Sequence, residues 1–161
     1  MRFGILSDTH NNQDTTRQAL DIFREAGIKQ LLHCGDITGG AVVMLFKGWN
    51  VRFVYGNIDH NRQDLAAACV MAGCPPPQRQ YALTLGGYPV ALLHGHNGLN
   101  RLIRTQEQRY ILHGHTHQRR DEIIGKTRVI NPGALGGRRP ETRSVAILDV
   151  TTDDLQFIEL E

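Results

Sequence analysis

Arg2-Phe3-Gly4-Ile5-Leu6-Ser7-Asp8-Thr9-His10, at the start of the chain, decides how the remainder is read. A short apolar run is cut off by four polar residues, as a buried strand would be. Residues 14–26 then carry apolar side chains at Ala19, Leu20, Ile22, Phe23 and Ala26, which is helical spacing, and Gly27 supplies a C-terminal stop. Leu31-Leu32 is a second apolar run, leading into Cys34-Gly35-Asp36. Residues 40–46 read as helix, and residues 51–55 as a third strand ending at Gly56-Asn57. Strand and helix alternating in this way predict a parallel β-α-β arrangement with helices on the sheet faces.

The second half reads differently. After a helical stretch at 63–71, Cys74-Pro75-Pro76-Pro77 must be an extended loop, because consecutive prolines fit the interior of neither element. Residues 80–85 and 88–93 flank Gly86-Gly87, a two-residue hairpin signal. A helix over 99–106 precedes a strand at 109–112. Short alternating strands follow at 122–124, 127–130, 144–150 and 155–160. No repeat, low-complexity tract or linker interrupts the chain. The expectation is one α/β domain over residues 1–161, its later part largely antiparallel.

Composition narrows the function classes. The 161 residues suffice for a real core, and 40% hydrophobic with 21% charged residues is ordinary for a soluble globular protein. A formal net charge of +2 announces neither a nucleic-acid nor a membrane partner. No stretch approaches the roughly 20 apolar residues needed to cross a bilayer. The first apolar run is too short for a signal peptide before Ser7-Asp8 interrupts it. Cys34, Cys69 and Cys74 are odd in number and form no close C-x-x-C pair. That argues against a disulfide-stapled secreted domain or a thiolate metal site, and for a reducing cytoplasm.

Eight histidines are more than structure alone requires. Most fall where an apolar run has just ended: Asp8 and His10 after the first strand, Asp36 after the second, Asn57 and Asp59 after the third. His94 and His96 follow the hairpin, and His113, His115 and His117 follow Tyr110-Ile111-Leu112. The carboxyl ends of strands are where sites assemble in open α/β sheets, so these residues can converge. In an extended backbone, Asp-x-His and His-x-His would each place two side chains on one side. His33 and His113 would then point the opposite way, into packing. Carboxylates, an amide and imidazoles suit a divalent transition ion (Mn, Fe, Co, Ni or Zn) better than Ca or Mg. Asp36 lies between the two groups in sequence and is the natural bridging carboxylate. Singly, Asp8 or Asp36 would read as a helix cap or turn residue; jointly they read as a metal centre.

The series Asp8-Thr9-His10, Gly35-Asp36, Gly56-Asn57-Ile58-Asp59, His94-Gly95-His96 and Gly114-His115-Thr116-His117 resembles the calcineurin-like metallophosphoesterase superfamily. The short chain and Asn131-Pro132-Gly133 are similar to its small phosphodiesterase group, which includes the retromer sorting subunit. The resemblance implies two packed mixed β-sheets flanked by helices, a four-layer α/β/β/α sandwich. It implies two divalent ions, manganese first among the candidates. Asp8, His10, Asp36 and His117 would hold one ion; Asp36, Asn57, His94 and His115 would hold the other. A water bridging the ions would attack phosphorus without a phosphoenzyme. The implied substrate is a small phosphodiester or nucleotide-like ester. A phosphomonoesterase, or a non-catalytic interaction module of the same fold, is the alternative.

One departure from the family pattern bears on catalysis. Many members have histidine after the asparagine, where it protonates the leaving oxygen; here the residue is Ile58. Asp59, which would orient that imidazole, is retained. His96 is then the first candidate for proton donor, ahead of His60 or water, and esters with good leaving groups should be favoured. Ala134 is a second departure, where relatives often have serine. Arginines 101, 104, 109, 119, 120, 138, 139 and 143 read as a solvated surface rather than a nucleic-acid face, because aromatic stacking residues are few. The sequence leaves a homo-oligomer open.

Overall fold

The computed structural model describes all 161 residues. In chain order the elements are β1 Arg2–Leu6, α1 Gln13–Glu25, β2 Gln30–His33, α2 Gly40–Met44, β3 Asn50–Phe53, α3 Arg62–Met71 and β4 Gln80–Leu85. There follow β5 Tyr88–Leu93, α4 Leu99–Thr105, β6 Tyr110–Leu112, β7 Arg119–Ile124, β8 Thr127–Pro132, β9 Ser144–Asp149 and β10 Asp154–Glu159. They form two five-stranded sheets, ordered β10-β9-β1-β2-β3 and β4-β5-β6-β8-β7.

Alternation along each strand explains the layering. In the first sheet Phe3, Ile5 and Leu32 face Val90, Leu92, Tyr110 and Leu112 of the second, closing the central core. The other face of the first sheet, with Leu6, Leu31, Val51 and Phe53, packs on Ala19, Leu20 and Phe23 of α1, Val42 and Val43 of α2, and Leu65 of α3. The outer face of the second sheet, with Ala91, Leu93, Ile111 and Val129, is covered by Ile103, Leu99 and Leu102 of α4. Helix, sheet, sheet and helix therefore stack as four layers, the architecture that the family resemblance implies.

Helix α1 shows how local chemistry sets the boundaries. The Asn12 side chain accepts a hydrogen bond from the Thr15 amide at 3.2 Å, satisfying one orphan donor of the first turn. At the far end Gly27 adopts φ +70°, and Gly27 and Ile28 donate to the carbonyls of Arg24 and Phe23, a Schellman stop.

The later half is largely antiparallel, as its sequence predicts, with one parallel run inside it. β4 pairs antiparallel with β5, β7 with β8, and β9 with both β10 and β1, whereas β5, β6 and β8 run parallel to one another. Helix α4 provides the crossover that parallel β5 and β6 require. Strand β7 begins at Arg119, three residues before the expected start. Its Arg119-Arg120-Asp121 segment is polar on both faces because the strand lies at a sheet edge.

Candidate metal centre

Each candidate ligand follows a parallel strand. Asp8 and His10 follow β1, Asp36 follows β2, Asn57 follows β3, His94 follows β5, and His115 and His117 follow β6. The parallel strands of both sheets end at the same place, so all seven residues converge at the seam between the sheets. They do not converge through the extended alternation expected from Asp-x-His. Asp8, His10, Asp36, His115 and His117 all have positive φ, between 45° and 73°. Each left-handed residue costs on the order of 1–2 kcal/mol, so the strain is concentrated on the ligands.

Close backbone approach completes the crossing. A Cβ at Gly56 would overlap the Asp36 carboxylate, and one at Gly114 would overlap Ser7 and Asp8. These glycines let two chains pass within reach of one carboxylate each.

Four donors, from Asp8, His10, Asp36 and His117, lie within 4.8 Å of one another. Asp8 Oδ1 is 3.1 Å from His117 Nε2 and 3.7 Å from His10 Nε2. The other donors adjoin them. His94 Nε2 lies 2.9 Å from Asn57 Oδ1 and 3.3 Å from Asp36 Oδ2, and His115 Nδ1 is 3.0 Å from Asn57 Oδ1. Asp36 Oδ2 faces both groups, being also 3.7 Å from His10 Nε2. Asp8, Asp36 and His94 are buried, His10 and His117 half-buried, and Asn57 and His115 exposed, so the cluster opens to solvent on one side.

The hydrogen bonding behind these atoms leaves acceptors aimed at acceptors. His94 Nδ1 donates to the Cys34 carbonyl at 2.7 Å, and His117 Nδ1 donates to the Arg138 carbonyl. In each neutral ring Nε2 is then a lone pair facing carboxylate or amide oxygen. Asp8 Oδ2 is satisfied by the Ser7 hydroxyl at 2.5 Å and the His115 amide at 3.1 Å, whereas Oδ1 is buried with no hydrogen-bond partner. Burial opposes ionisation of Asp8, yet the His10 and His117 imidazoles hold its carboxyl well below the usual carboxylate range. Burial would also raise Asp36, but His94 brings it below its ordinary value. The His94 imidazole, despite burial, is raised by Asp36 and Asp8, and Asp8 raises His117. Converging lone pairs and negative charge of this kind call for a cation. Two carboxylates, an amide and imidazoles fit a divalent transition ion.

Several supporting residues were invisible as such in the sequence. Asn131 Nδ2 donates to the Gly114 carbonyl at 2.9 Å and to Thr116 Oγ1 at 3.1 Å, fixing the turn that carries His115 and His117. Its only signal was the Asn-Pro-Gly string. Asp59 is placed behind the cluster: its carboxylate accepts from the amides of Gly56 (2.7 Å), Thr38 (2.8 Å) and Ile37 (3.2 Å), tying the loop after β2 to the loop after β3. His33 is fully buried against Phe46 and Phe53, and His113 is buried with Nδ1 on the Gly114 carbonyl. Both point into packing, as read from the sequence.

Of the proton-donor candidates, His96 is exposed, with its ring centroid 5.5 Å from His94 and 6.1 Å from His115. His60 is exposed on the loop before α3, and Ile58 is 36% exposed at the mouth of the site. Among the surface arginines, Arg109, Arg119 and Arg120 pair with Asp153, Glu141 with Glu159, and Glu122 respectively.

Comparison with known proteins agrees with this fold. A phosphodiesterase of Methanocaldococcus jannaschii is 27% identical over 172 residues, covering all of both chains. The solved structure of an archaeal phosphodiesterase superposes with a TM-score of 0.91 at 28% identity, covering 99% of this chain and 100% of that one. Zinc-bound Vps29 of Entamoeba histolytica shares the fold at a TM-score of 0.74 and 19% identity, over 98% of this chain and 90% of that one. Residues 1–153 match the calcineurin-like phosphoesterase superfamily domain, and the chain belongs to that superfamily.

Proposed function

We propose that this protein is a metal-dependent phosphodiesterase with two ion sites sharing Asp36: Asp8, His10, Asp36 and His117 for one, and Asp36, Asn57, His94 and His115 for the other. The observation that carries this reading is the convergence on two carboxylates: Asp8 Oδ1 is buried without a hydrogen-bond partner, and Asp36 Oδ2 faces both groups of donors. Two divalent ions, when bound, supply an activated water for attack on phosphorus and neutralise the phosphoryl oxygens. Manganese is the first candidate, with iron, cobalt, nickel and zinc compatible with the same donors.

The chain's own residues do the positioning. The carbonyls of Cys34 and Arg138 fix which nitrogen of His94 and of His117 faces the site. Asp59 holds the two loops that present Asp36 and Asn57. His96, exposed beside His94, is proposed to give the proton to the leaving oxygen. With Ile58 at the mouth in place of an imidazole, esters of acidic alcohols should react faster. The name of the M. jannaschii relative supports a diester rather than a monoester substrate. No helix is long and apolar enough to cross a membrane, and three buried free thiols fit the reducing cytoplasm proposed for the chain.

The test is hydrolysis of bis-p-nitrophenyl phosphate by protein loaded with Mn²⁺, beside p-nitrophenyl phosphate. Turnover should favour the diester. Asp36→Asn should cut it more than about 100-fold, beyond the 10–100-fold that outer partners of metal ligands cost. Equal rates for wild type and Asp36→Asn would end the proposal.

A further inference from the structure

A cavity of about 600 Å³ opens beside the metal centre, and His94 lines it from the metal side. His96 lies on its wall. Three arginines reach it from separate elements: Arg62 at the start of α3, Arg79 in the loop before β4, and Arg101 in α4. Their convergence is a product of the fold and not of a basic run in the sequence.

The charge in this cavity is uncompensated. No carboxylate lines it, and none of the three arginines forms an ion pair, whereas Arg109, Arg119, Arg120 and Arg128 elsewhere all do. Arg62 is held in place without being neutralised: its guanidinium lies 5.0 Å from the Tyr55 ring centroid, and the Tyr55 hydroxyl donates to the Arg62 carbonyl at 3.1 Å. Gln80 and Asn97 add neutral donors to the lining. Guanidinium groups gathered around a cavity match phosphate oxygens in geometry and in charge.

We propose that this cavity is a second-phosphate subsite, so that the preferred substrate is a phosphodiester whose organic group carries a further phosphate monoester. The scissile phosphate sits at the metal ligands, and the added phosphate is taken by Arg62, Arg79 and Arg101. A nucleoside with a phosphodiester on one hydroxyl and a phosphate monoester on another has this form. The inference rests on the phosphodiesterase reading for its catalytic half, and on the cavity alone for its binding half.

Two p-nitrophenyl esters separate the possibilities: thymidine 5′-(p-nitrophenyl phosphate) and its 3′-phosphorylated counterpart. They share nucleoside, scissile bond and leaving group, and differ only in the added phosphate. With Mn²⁺-loaded wild type, kcat/KM should be about tenfold higher or more for the 3′-phosphorylated ester, mostly through KM. That ratio should fall to near unity in Arg79→Gln/Arg101→Gln and persist in Arg104→Gln, which alters an arginine outside the cavity. A ratio near unity in wild type, with both esters hydrolysed, overturns the subsite and leaves the phosphodiesterase reading intact. If neither ester is hydrolysed, that reading fails, and titration of metal-free protein with thymidine 3′,5′-bisphosphate and thymidine judges the cavity alone. Tighter binding of the bisphosphate, lost in the double variant, supports the subsite; equal binding overturns it.

Discussion

Asp59 shows how a residue can matter to a metal centre without facing it. Its two oxygens accept from three backbone amides, those of Gly56, Thr38 and Ile37, which belong to the loops carrying Asp36 and Asn57. In Asp59→Ala these buried donors lose their acceptor, at about 1–3 kcal/mol, and the loops drift apart. Mn²⁺ affinity, measured by isothermal titration, should weaken by about 10–100-fold. Asp59→Asn keeps one acceptor oxygen and should recover part of the loss. If Ala and Asn behave alike, the carboxylate acts in some way other than by bracing the loops. His33 supports a second residue-scale prediction. It accepts from the Gly35 amide at Nδ1 and meets Thr9 Oγ1 at Nε2, so the neutral ring is satisfied on both sides. Burial, foremost, pushes its pKa down to about 3. A histidine lowered on folding leaves stability intact above the unfolded value near 6.5, and stability is lost as pH falls from there toward 3. His33→Phe removes that titration while keeping an aromatic ring against Phe46 and Phe53. In metal-free protein, the urea midpoint of His33→Phe should fall less steeply between pH 6.5 and 4 than that of wild type. Parallel slopes would show that His33 does not govern acid lability.

At the scale of elements, α1 and the parallel strands were legible because one periodicity dominated each of them. The helix buries Ala19, Leu20 and Phe23 on one stripe and ends at Gly27, as its spacing predicts. What could not be read was the parallel run of β5, β6 and β8 inside an otherwise antiparallel half. β6 and β8 are short apolar runs whose neighbours are set by tertiary packing, and β7 is an edge strand with little apolar signal. The site was legible in the same uneven way. Its ligand types and order stand in the sequence, but the left-handed backbone at five of them does not, since nothing in Asp-x-His announces a positive φ. The cavity arginines were least legible of all, because Arg62, Arg79 and Arg101 come from three elements far apart in the chain. The Asn12 cap offers an element-scale test. Asn12→Ala should cost about 1 kcal/mol of stability through the lost bond to the Thr15 amide, read as a lower urea midpoint in metal-free protein. Diester hydrolysis by the folded variant should stay near wild type, because α1 lends no side chain to the ligand set. Loss of hydrolysis without loss of stability would mean that Asn12 reaches the site through its neighbour Asn11.

For the molecule as a whole, the candidate metal centre is a debt carried by the fold. Two sheets bring their parallel strand ends to one seam, where five residues hold a disfavoured backbone and buried lone pairs face one another. The metal-free chain bears that cost against a net stability of only about 5–15 kcal/mol. A cation that binds the folded chain and not the unfolded one offsets it by mass action, by about 2.7 kcal/mol at one hundred times its dissociation constant. For a chain of this length each kcal/mol raises Tm by roughly 2–4 °C, so saturating Mn²⁺ should lift Tm by about 5–11 °C over protein treated with EDTA. The same titration on Asp8→Asn should give a much smaller lift, because the oxygen left without a partner belongs to that carboxylate. The fold holds the Asp8 carboxyl well below the usual carboxylate range, so its charge contributes stability at neutral pH, and metal-free Asp8→Asn should melt below metal-free wild type. If Mn²⁺ leaves Tm unmoved, or lifts Asp8→Asn as far as wild type, the converging donors are held by protons and packing, and the case for a resident metal falls with them.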